Sequence, residues 1–498
     1  MNSKLKGLIV SGVFVVCLAV VAIVLLAGSK DDDKKPSKDK ESTSSSQNNE
    51  VLNKKETPLV DYDKTQVKKI VVENEFGTLN FIQNKSGGEI WTVEEIKDIE
   101  QNTTLTTAAA NIASSLSYLD KVEDNASDLS KYGLVNPVST FTVSYADMDQ
   151  TEKTFLIGNE SPKSGYYYLC EKGQSAVYTV NGTGLRYFMS KPEFFVDLTL
   201  LDTPENQKYW PEIVDLAVKR SEWDYEVKFK TVDETQSVVS TQIMYEPITM
   251  SLNITNSMDV THGMWGLAGE EAIVAFPTEE DFAEYGLDTP HAVVTLEIDT
   301  GDIYVLKIGK AIYYLDESGN ETSNVAGYYA YIEGVEGKDV IYSVPVDKLP
   351  WATFKPEDVM TTLMTSNYIY DVDTIFVKEN SNTYEFDLIG EGEKAPSEVT
   401  MNGEKVDVEL FRNLYQYIIT CPTNEIYWQE TVKDVYLSIE INLKDGGKDK
   451  LEFVKDTDRR TVVFLNDRPQ FLIARTWTDL FVENLTHLKN GEEIKEHI

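Results

Sequence analysis

Catalysis needs nucleophiles, acids, bases or metal ligands in usable patterns, and this chain offers few. Its four histidines, His262, His291, His487 and His497, are scattered, with no His-x-x-x-His pair. There is no Gly-x-Ser-x-Gly elbow and no Gly-x-Gly-x-x-Gly, and Gly334 to Lys338 lacks the spacing and the Ser/Thr of a phosphate loop. A Ser-His-Asp triad needs no adjacency in sequence, but no pattern here favours one. The reading is therefore no catalytic, cofactor-binding or metal-binding residue. Asp147-x-Asp149 with Glu152, and Asp371-x-Asp373, invite calcium, but calcium needs six or more oxygen ligands and the EF-hand spacing is missing. With 83 acidic residues such pairs also arise as turn or solvated-face residues, the preferred reading. Cys170 and Cys421 can be a disulfide or two buried thiols, and the second is preferred. The tyrosines stand out: 27 in all, grouped at Tyr166-Tyr167-Tyr168, Tyr313-Tyr314 and Tyr328-Tyr329-Tyr331. On a strand, alternate members of such a group face opposite sides. Tyr167, Tyr314 and Tyr329 are the candidates to stack on a sugar or anchor a protein partner. Cross-strand aromatic pairing is the competing structural reading, and the preferred one.

Composition limits the partners. The 498 residues are 41% hydrophobic and 26% charged, ordinary for a globular protein of about three domains. Lys plus Arg number 46 against the 83 acids, a net charge of −37. Such a surface repels phosphate backbones, so nucleic acid is excluded as a partner.

The charge is unevenly placed. Lys4 and Lys6 precede an uncharged apolar run from Leu8 to Ala27, 20 residues long. As a helix it rises about 30 Å, enough to cross a bilayer, and the positive flank keeps the amino terminus inside. Ala27-Gly28-Ser29 is a tolerable cleavage site, so a signal peptide is the alternative, but signal h-regions usually run only about 7–15 residues. Cys17 sits mid-run, which rules out a lipobox. Residues 28–57 balance seven Lys against seven acids without apolar periodicity and read as a disordered linker. The rest of the chain therefore carries −39. These features place the chain in the plasma membrane, single-pass, with its bulk outside the cytoplasm.

The strongest signal is internal repetition. Lys131-Tyr132-Gly133-Leu134-Val135-Asn136-Pro137 returns 153 residues later as Glu284-Tyr285-Gly286-Leu287-Asp288-Thr289-Pro290. Strand-like runs Thr140 to Tyr145 and Val293 to Ile298 follow. Then Phe155-Leu156-Ile157-Gly158 matches Leu306-Lys307-Ile308-Gly309, Gly165 to Tyr168 matches Gly327 to Tyr331, and Ala176 to Val180 matches Val340 to Val344. The Tyr-Gly-Leu-x-x-Pro element predicts a corner. A short helix over Ser127 to Tyr132, or over Thr278 to Tyr285 with a Thr278/Asp281 capping box, ends at a left-handed Gly133 or Gly286. Leu134 or Leu287 packs back on the helix, and Pro137 or Pro290 forces an extended exit.

Each copy opens with a hairpin. Val67 to Glu73 pairs with Thr78 to Ile82, Trp91 to Val93 adds a strand, and Thr104 to Leu119 reads as a helix. In the second copy Ile213 to Val218 pairs with Tyr225 to Phe229, Met264 to Leu267 takes the Trp position, and Thr241 to Val260 is the diverged helix region. A third copy, without the corner, has strands at Val372 to Lys378, Tyr384 to Leu388, Val435 to Leu443, Lys450 to Val454, Thr461 to Leu465 and Gln470 to Ile473, with a helix at Val408 to Ile419. The expected fold class is α+β: tandem repeats of mostly antiparallel sheet with one or two helices each, preceded by one transmembrane helix.

The anchor, the Ile70-Val71-Val72-Glu73 strand, the Trp strand, the Tyr-Gly-Leu-x-x-Pro corner, the Leu-x-Ile-Gly strand and the Gly-Tyr-Tyr strand together resemble the DUF4340 family of bacterial membrane-anchored proteins. The resemblance covers most of 60–200 and the better half of 210–355 and fades beyond. It implies the organisation 1–27 anchor, 28–57 linker, 58–205 and 206–360 DUF4340-like repeats, and 361–498 a degenerate third. Family members are often encoded beside ABC-2-type permeases, so the resemblance implies a non-enzymatic accessory protein contacting permease or auxiliary subunits. A cell-surface glycan-binding module using exposed tyrosines is the alternative, and an exported hydrolase the third reading.

Overall fold

Period-two burial sets the strands: Ser139–Tyr145 and Ala292–Ile298 each bury every second side chain from first residue to last. The computed structural model describes residues 56–83, 90–146, 149, 151–205, 210–232 and 240–497. The anchor run Leu8–Ala27, Cys17, the linker through residue 55 and Asp147 lie outside the described residues. No helix among the described residues is long and apolar enough to cross a membrane.

The first sheet draws on β2 Val67–Asn74, β3 Gly77–Gln83, β4 Trp91–Val93, β6 Asp120–Glu123, β7 Ser139–Tyr145, β8 Glu152–Glu160, β9 Tyr166–Glu171 and β10 Val177–Asn181, with helices α1 Thr103–Ser114 and α2 Gly182–Met189. Short strands β1 Thr57–Pro58 and β5 Ser117–Tyr118 pair beside it. The second sheet has β11 Ile213–Arg220, β12 Glu226–Thr231, β13 Gln242–Glu246, β14 Met250–Ser251, β15 Glu271–Ala275, β16 Ala292–Ile298, β17 Ile303–Leu315, β18 Glu321–Glu333 and β19 Val340–Pro345, with α3 Ile254–His262, α4 Glu279–Glu284 and α5 Pro356–Val359. The third has β20 Val372–Glu379, β21 Asn382–Ile389, β22 Glu398–Met401, β23 Glu404–Val406, β24 Val435–Leu443, β25 Lys448–Lys455, β26 Arg460–Leu465 and β27 Arg468–Ala474, with α6 Val408–Ile419 and α7 Arg475–Asn490.

The sheet orders are β4-β3-β2-β7-β8-β9-β10-β6, β14-β13-β12-β11-β16-β17-β18-β19-β15 and β23-β22-β21-β20-β24-β25-β26-β27. Each first strand meanders outward on one side. The chain then crosses a helix and meanders outward on the other side of that strand. The central ladders are antiparallel, which makes the fold α+β. In the first two sheets the crossing segment also donates a far-edge strand, β6 or β15, before the corner. In the third that strand is reduced to a single bridge, Ile426 to Phe471 of β27, and there is no corner. Residues 56–498 form one compact unit, and one apolar core runs from Val60 to Ile494 through all three large sheets.

Three sequence expectations change. The helix expected over Thr104 to Leu119 stops at Ser114, because the Ser114 and Ser115 hydroxyls donate to the Asn111 carbonyl and compete with the helical ladder. Met264 to Leu267 is a turn after α3, with Gly266 at φ 74°, and β13 occupies the Trp-strand position. Within Thr241 to Val260 lie β13, β14 and most of α3. That nine-residue helix is capped by Asn253 and buries only Ser257, Val260 and Thr261, too small an apolar face to show as periodicity.

Candidate functional site

The corners are built as their residues require. Leu134 N–H donates to Leu129 O and Gly133 N–H to Ser130 O; Leu287 N–H donates to Phe282 O and Gly286 N–H to Ala283 O. This is the Schellman pairing, with glycines at φ 72° and 69°. The first helix is a single 3₁₀ turn, Leu129–Tyr132, capped by Asp128; the second is α4 with the Thr278/Asp281 box. Leu134 and Leu287 are buried, and Pro137 and Pro290 lead into β7 and β16.

The corner and the Leu-x-Ile-Gly strand are one packing unit. A Cβ on Gly158 would lie 2.1 Å from the Tyr132 carbonyl oxygen, and one on Gly309 would lie 2.3 Å from that of Tyr285, each also 3.1 Å from the corner leucine. The strand must be glycine there because the corner backbone lies on it.

This unit also uses up tyrosines. The Tyr132 ring packs on Tyr168 at 4.8 Å and its hydroxyl donates to Glu123, which pushes its pKa up. Tyr285 packs on Tyr329 at 4.6 Å. Tyr167 is half-buried against the core and over Gly182. Tyr328 stacks on His291, and Tyr331 donates to Asp339 while packing edge-on to Phe282. Of the three candidate contact tyrosines, Tyr314 is 58% exposed and Tyr167 and Tyr329 are half-buried. No ring contact joins any two of the three among the described residues. Packing on the corner segments, rather than the cross-strand aromatic pairing expected from the sequence, accounts for most of these ring contacts.

Tyr314 stands on an arm. β17 and β18 run 13 residues each, against nine and six for β8 and β9. The added length carries Tyr313, Tyr314 and Leu315, all exposed. At its base the arm meets the wall of a groove of about 860 Å³. Ile312, Gly327, Tyr329 and Val344 of the second sheet form one side; Phe76, Leu105 and Phe194 form the other. Sequence reasoning found Tyr314 and Tyr329 but missed the groove, because its two sides come from different sheets. The edge strand β15 at the groove is closed: Lys191 Nζ donates to Ile273 O, and Ala275 N–H donates to Glu193.

Lys338 fastens the same junction. Its side chain is 1% exposed, with Nζ 2.7 Å from Glu100 Oε2 and 3.5 Å from Asp197 Oδ1, a charge pairing without an aligned hydrogen bond. Backbone bonds Glu100 N–H to Gly337 O and Leu200 N–H to Leu267 O run alongside. Removing the charge as Lys338→Met should change the unfolding free energy, measured by urea titration, by no more than about 1 kcal/mol. Glu100→Ala with Asp197→Ala strands a buried ammonium and should cost about 3–5 kcal/mol. Equal losses in the two variants would show that the pair acts only through packing.

Other candidate chemistry does not assemble. Cys170 and Cys421 are free and buried, and burial pushes both thiols up. Among the described residues no group of His, Cys, Asp or Glu has the arrangement of a metal site, the Asp371-x-Asp373 pair included.

A second cavity, about 530 Å³, opens where the second and third sheets meet, lined by Tyr225, Glu246, Trp428 and Arg468 among others. No curated protein and no solved structure matches the chain. The stretch from β4 to β14, residues 91–250, matches the family model described as a domain of unknown function, DUF4340.

Proposed function

We propose that this protein is a membrane-anchored, extracytoplasmic, non-enzymatic accessory subunit of an ABC-transporter-like complex, acting by protein contacts. In this reading Leu8–Ala27 is the anchor, residues 28–57 are the tether, with Thr57 at its end already paired in β1, and 58–498 are tandem repeats of one folding unit. The observation that carries it is the β17–β18 arm with its exposed Tyr313, Tyr314 and Leu315, together with the groove whose wall includes Ile312 at the arm's base. Large contiguous apolar patches on a soluble surface mark places where a partner binds. Here Tyr313, Tyr314, Leu315 and Phe76 are exposed beside a mostly apolar groove. The net charge of −37 favours a partner with a basic face.

Affinity purification of the full-length protein from detergent-solubilised native membranes, with mass spectrometry, tests this. Permease or auxiliary subunits should be recovered with the wild type and fall by about tenfold or more with Tyr314→Ser plus Leu315→Asp. Recovery of the protein alone overturns the complex, and undiminished recovery with the double variant overturns the arm as its contact.

A further inference from the structure

The cavity between the second and third sheets has a composition different from the groove above. We infer that it is a binding site for a neutral pyranose oligosaccharide.

The site exists because the third sheet lacks the corner. In the first two sheets the segment between the helix and the central strand folds into the far-edge strand and the Tyr-Gly-Leu-x-x-Pro turn. In the third, which has no corner, residues 425–427 make only a short far-edge bridge along β27, and the chain then runs on to Trp428. Tyr427 N–H donates to Gln470 O, Leu472 N–H donates to Glu425 O, and Ile426 bridges Phe471. Gln470, 3% exposed, also accepts from Thr249 N–H through its side chain, which fixes the second sheet against the third. Trp428 follows directly and is set over the second sheet, its ring 4.5 Å from that of Tyr225. Tyr225 stacks in turn on Trp223 at 5.2 Å and 8°. Tyr225 is thus supported from below, while Trp428, tilted 59° against it, remains 38% exposed.

The polar groups select the ligand class. The cavity is lined by three carboxylates, Asp224, Glu226 and Glu246, and two cations, Lys228 and Arg468. Lys228 pairs with Glu226 at 3.4 Å, and Arg468 lies 3.9 Å from Glu246 while also donating to Thr249 Oγ1. A phosphate or other anion meets an excess of carboxylates, and a polycation must displace two resident cations. A polyhydroxylated neutral ring satisfies both signs: its hydroxyls donate to the carboxylates and accept from Lys228 and Arg468. Its C–H face covers an exposed indole, the kind of amphipathic surface that aromatic side chains recognise. About 530 Å³ at the meeting of two sheets lies within the range of small-ligand sites.

The test titrates the full-length protein, in a detergent without a sugar headgroup, with cellotriose, chitotriose and mannotriose by calorimetry, and with oligolysine as the competing class. At least one trisaccharide should bind with a Kd on the order of 1 mM or tighter. Trp428→Ala should weaken it about tenfold or more, with the melting curve unchanged. Asp224→Asn, at an exposed position, should also weaken it and serves if Trp428→Ala alters the fold. Absence of binding by all three sugars, binding that survives both variants, or Trp428-dependent binding of oligolysine alone each overturns the inference.

Discussion

Gly309→Ala should lower stability by about 3 kcal/mol, read as a shift of the urea midpoint, although it adds one methyl group to a strand. Alanine normally helps a strand relative to glycine. Here the new Cβ would sit 2.3 Å from the Tyr285 carbonyl oxygen and 3.1 Å from Leu287. The obstruction is backbone, so no rotamer change relieves it. That carbonyl already accepts Lys310 N–H at 2.9 Å, so moving it also disturbs the bond joining the corner to its strand. Gly158→Ala, with a 2.1 Å approach to the Tyr132 oxygen, should behave alike in the first sheet. A change within about 0.5 kcal/mol in both would show that the corners yield easily and do not constrain these strands.

Trp477→Ala should cost about 3–5 kcal/mol, the range for deleting a buried tryptophan. The third sheet has no corner, so its far half is fixed by the α6–α7 layer, with Trp477 at its centre. The indole is 2% exposed and packs on Tyr417 at 4.9 Å, Phe453 at 5.4 Å and Phe481 at 5.8 Å. Tyr417, whose hydroxyl donates to the Trp477 carbonyl at 2.8 Å, ties α6 to α7. Because that bond uses the backbone of residue 477, Trp477→Phe keeps it along with most of the stacking and should lose much less. Limited proteolysis should open α7 first in the alanine variant. Equal loss in the phenylalanine and alanine variants would place the effect outside the aromatic cluster.

The local elements were legible in sequence because their causes are local. Alternation of apolar and polar residues determines Ser139–Tyr145, Ala292–Ile298 and Val435–Leu443, since each buries one face of a pleat. The helix Val408–Ile419 followed from apolar residues three and four apart beginning just after its cap, Asp407. Both corners were legible because glycine, leucine and proline each fill a place set by hydrogen bonds spanning six residues.

What depends on distant backbone was not legible. The two serines that end α1 read equally well as helix, and α3 has too small an apolar face to stand out. Which tyrosines remain exposed was decided by the corners that pack on them, 36 residues away for Tyr132–Tyr168 and 44 for Tyr285–Tyr329. The two grooves lie further still from any linear pattern. Trp428 and Tyr225 are 203 residues apart and meet because the third sheet has no corner and its chain leaves a short edge bridge at Ile426 directly for the second sheet. The sequence by itself determined the strands, the turns between them and the α+β class, through short-range hydrogen bonding and period-two burial. Tertiary structure alone decided the surfaces, because a groove is made by packing whole sheets together and no residue in it records which sheet will form the opposite wall.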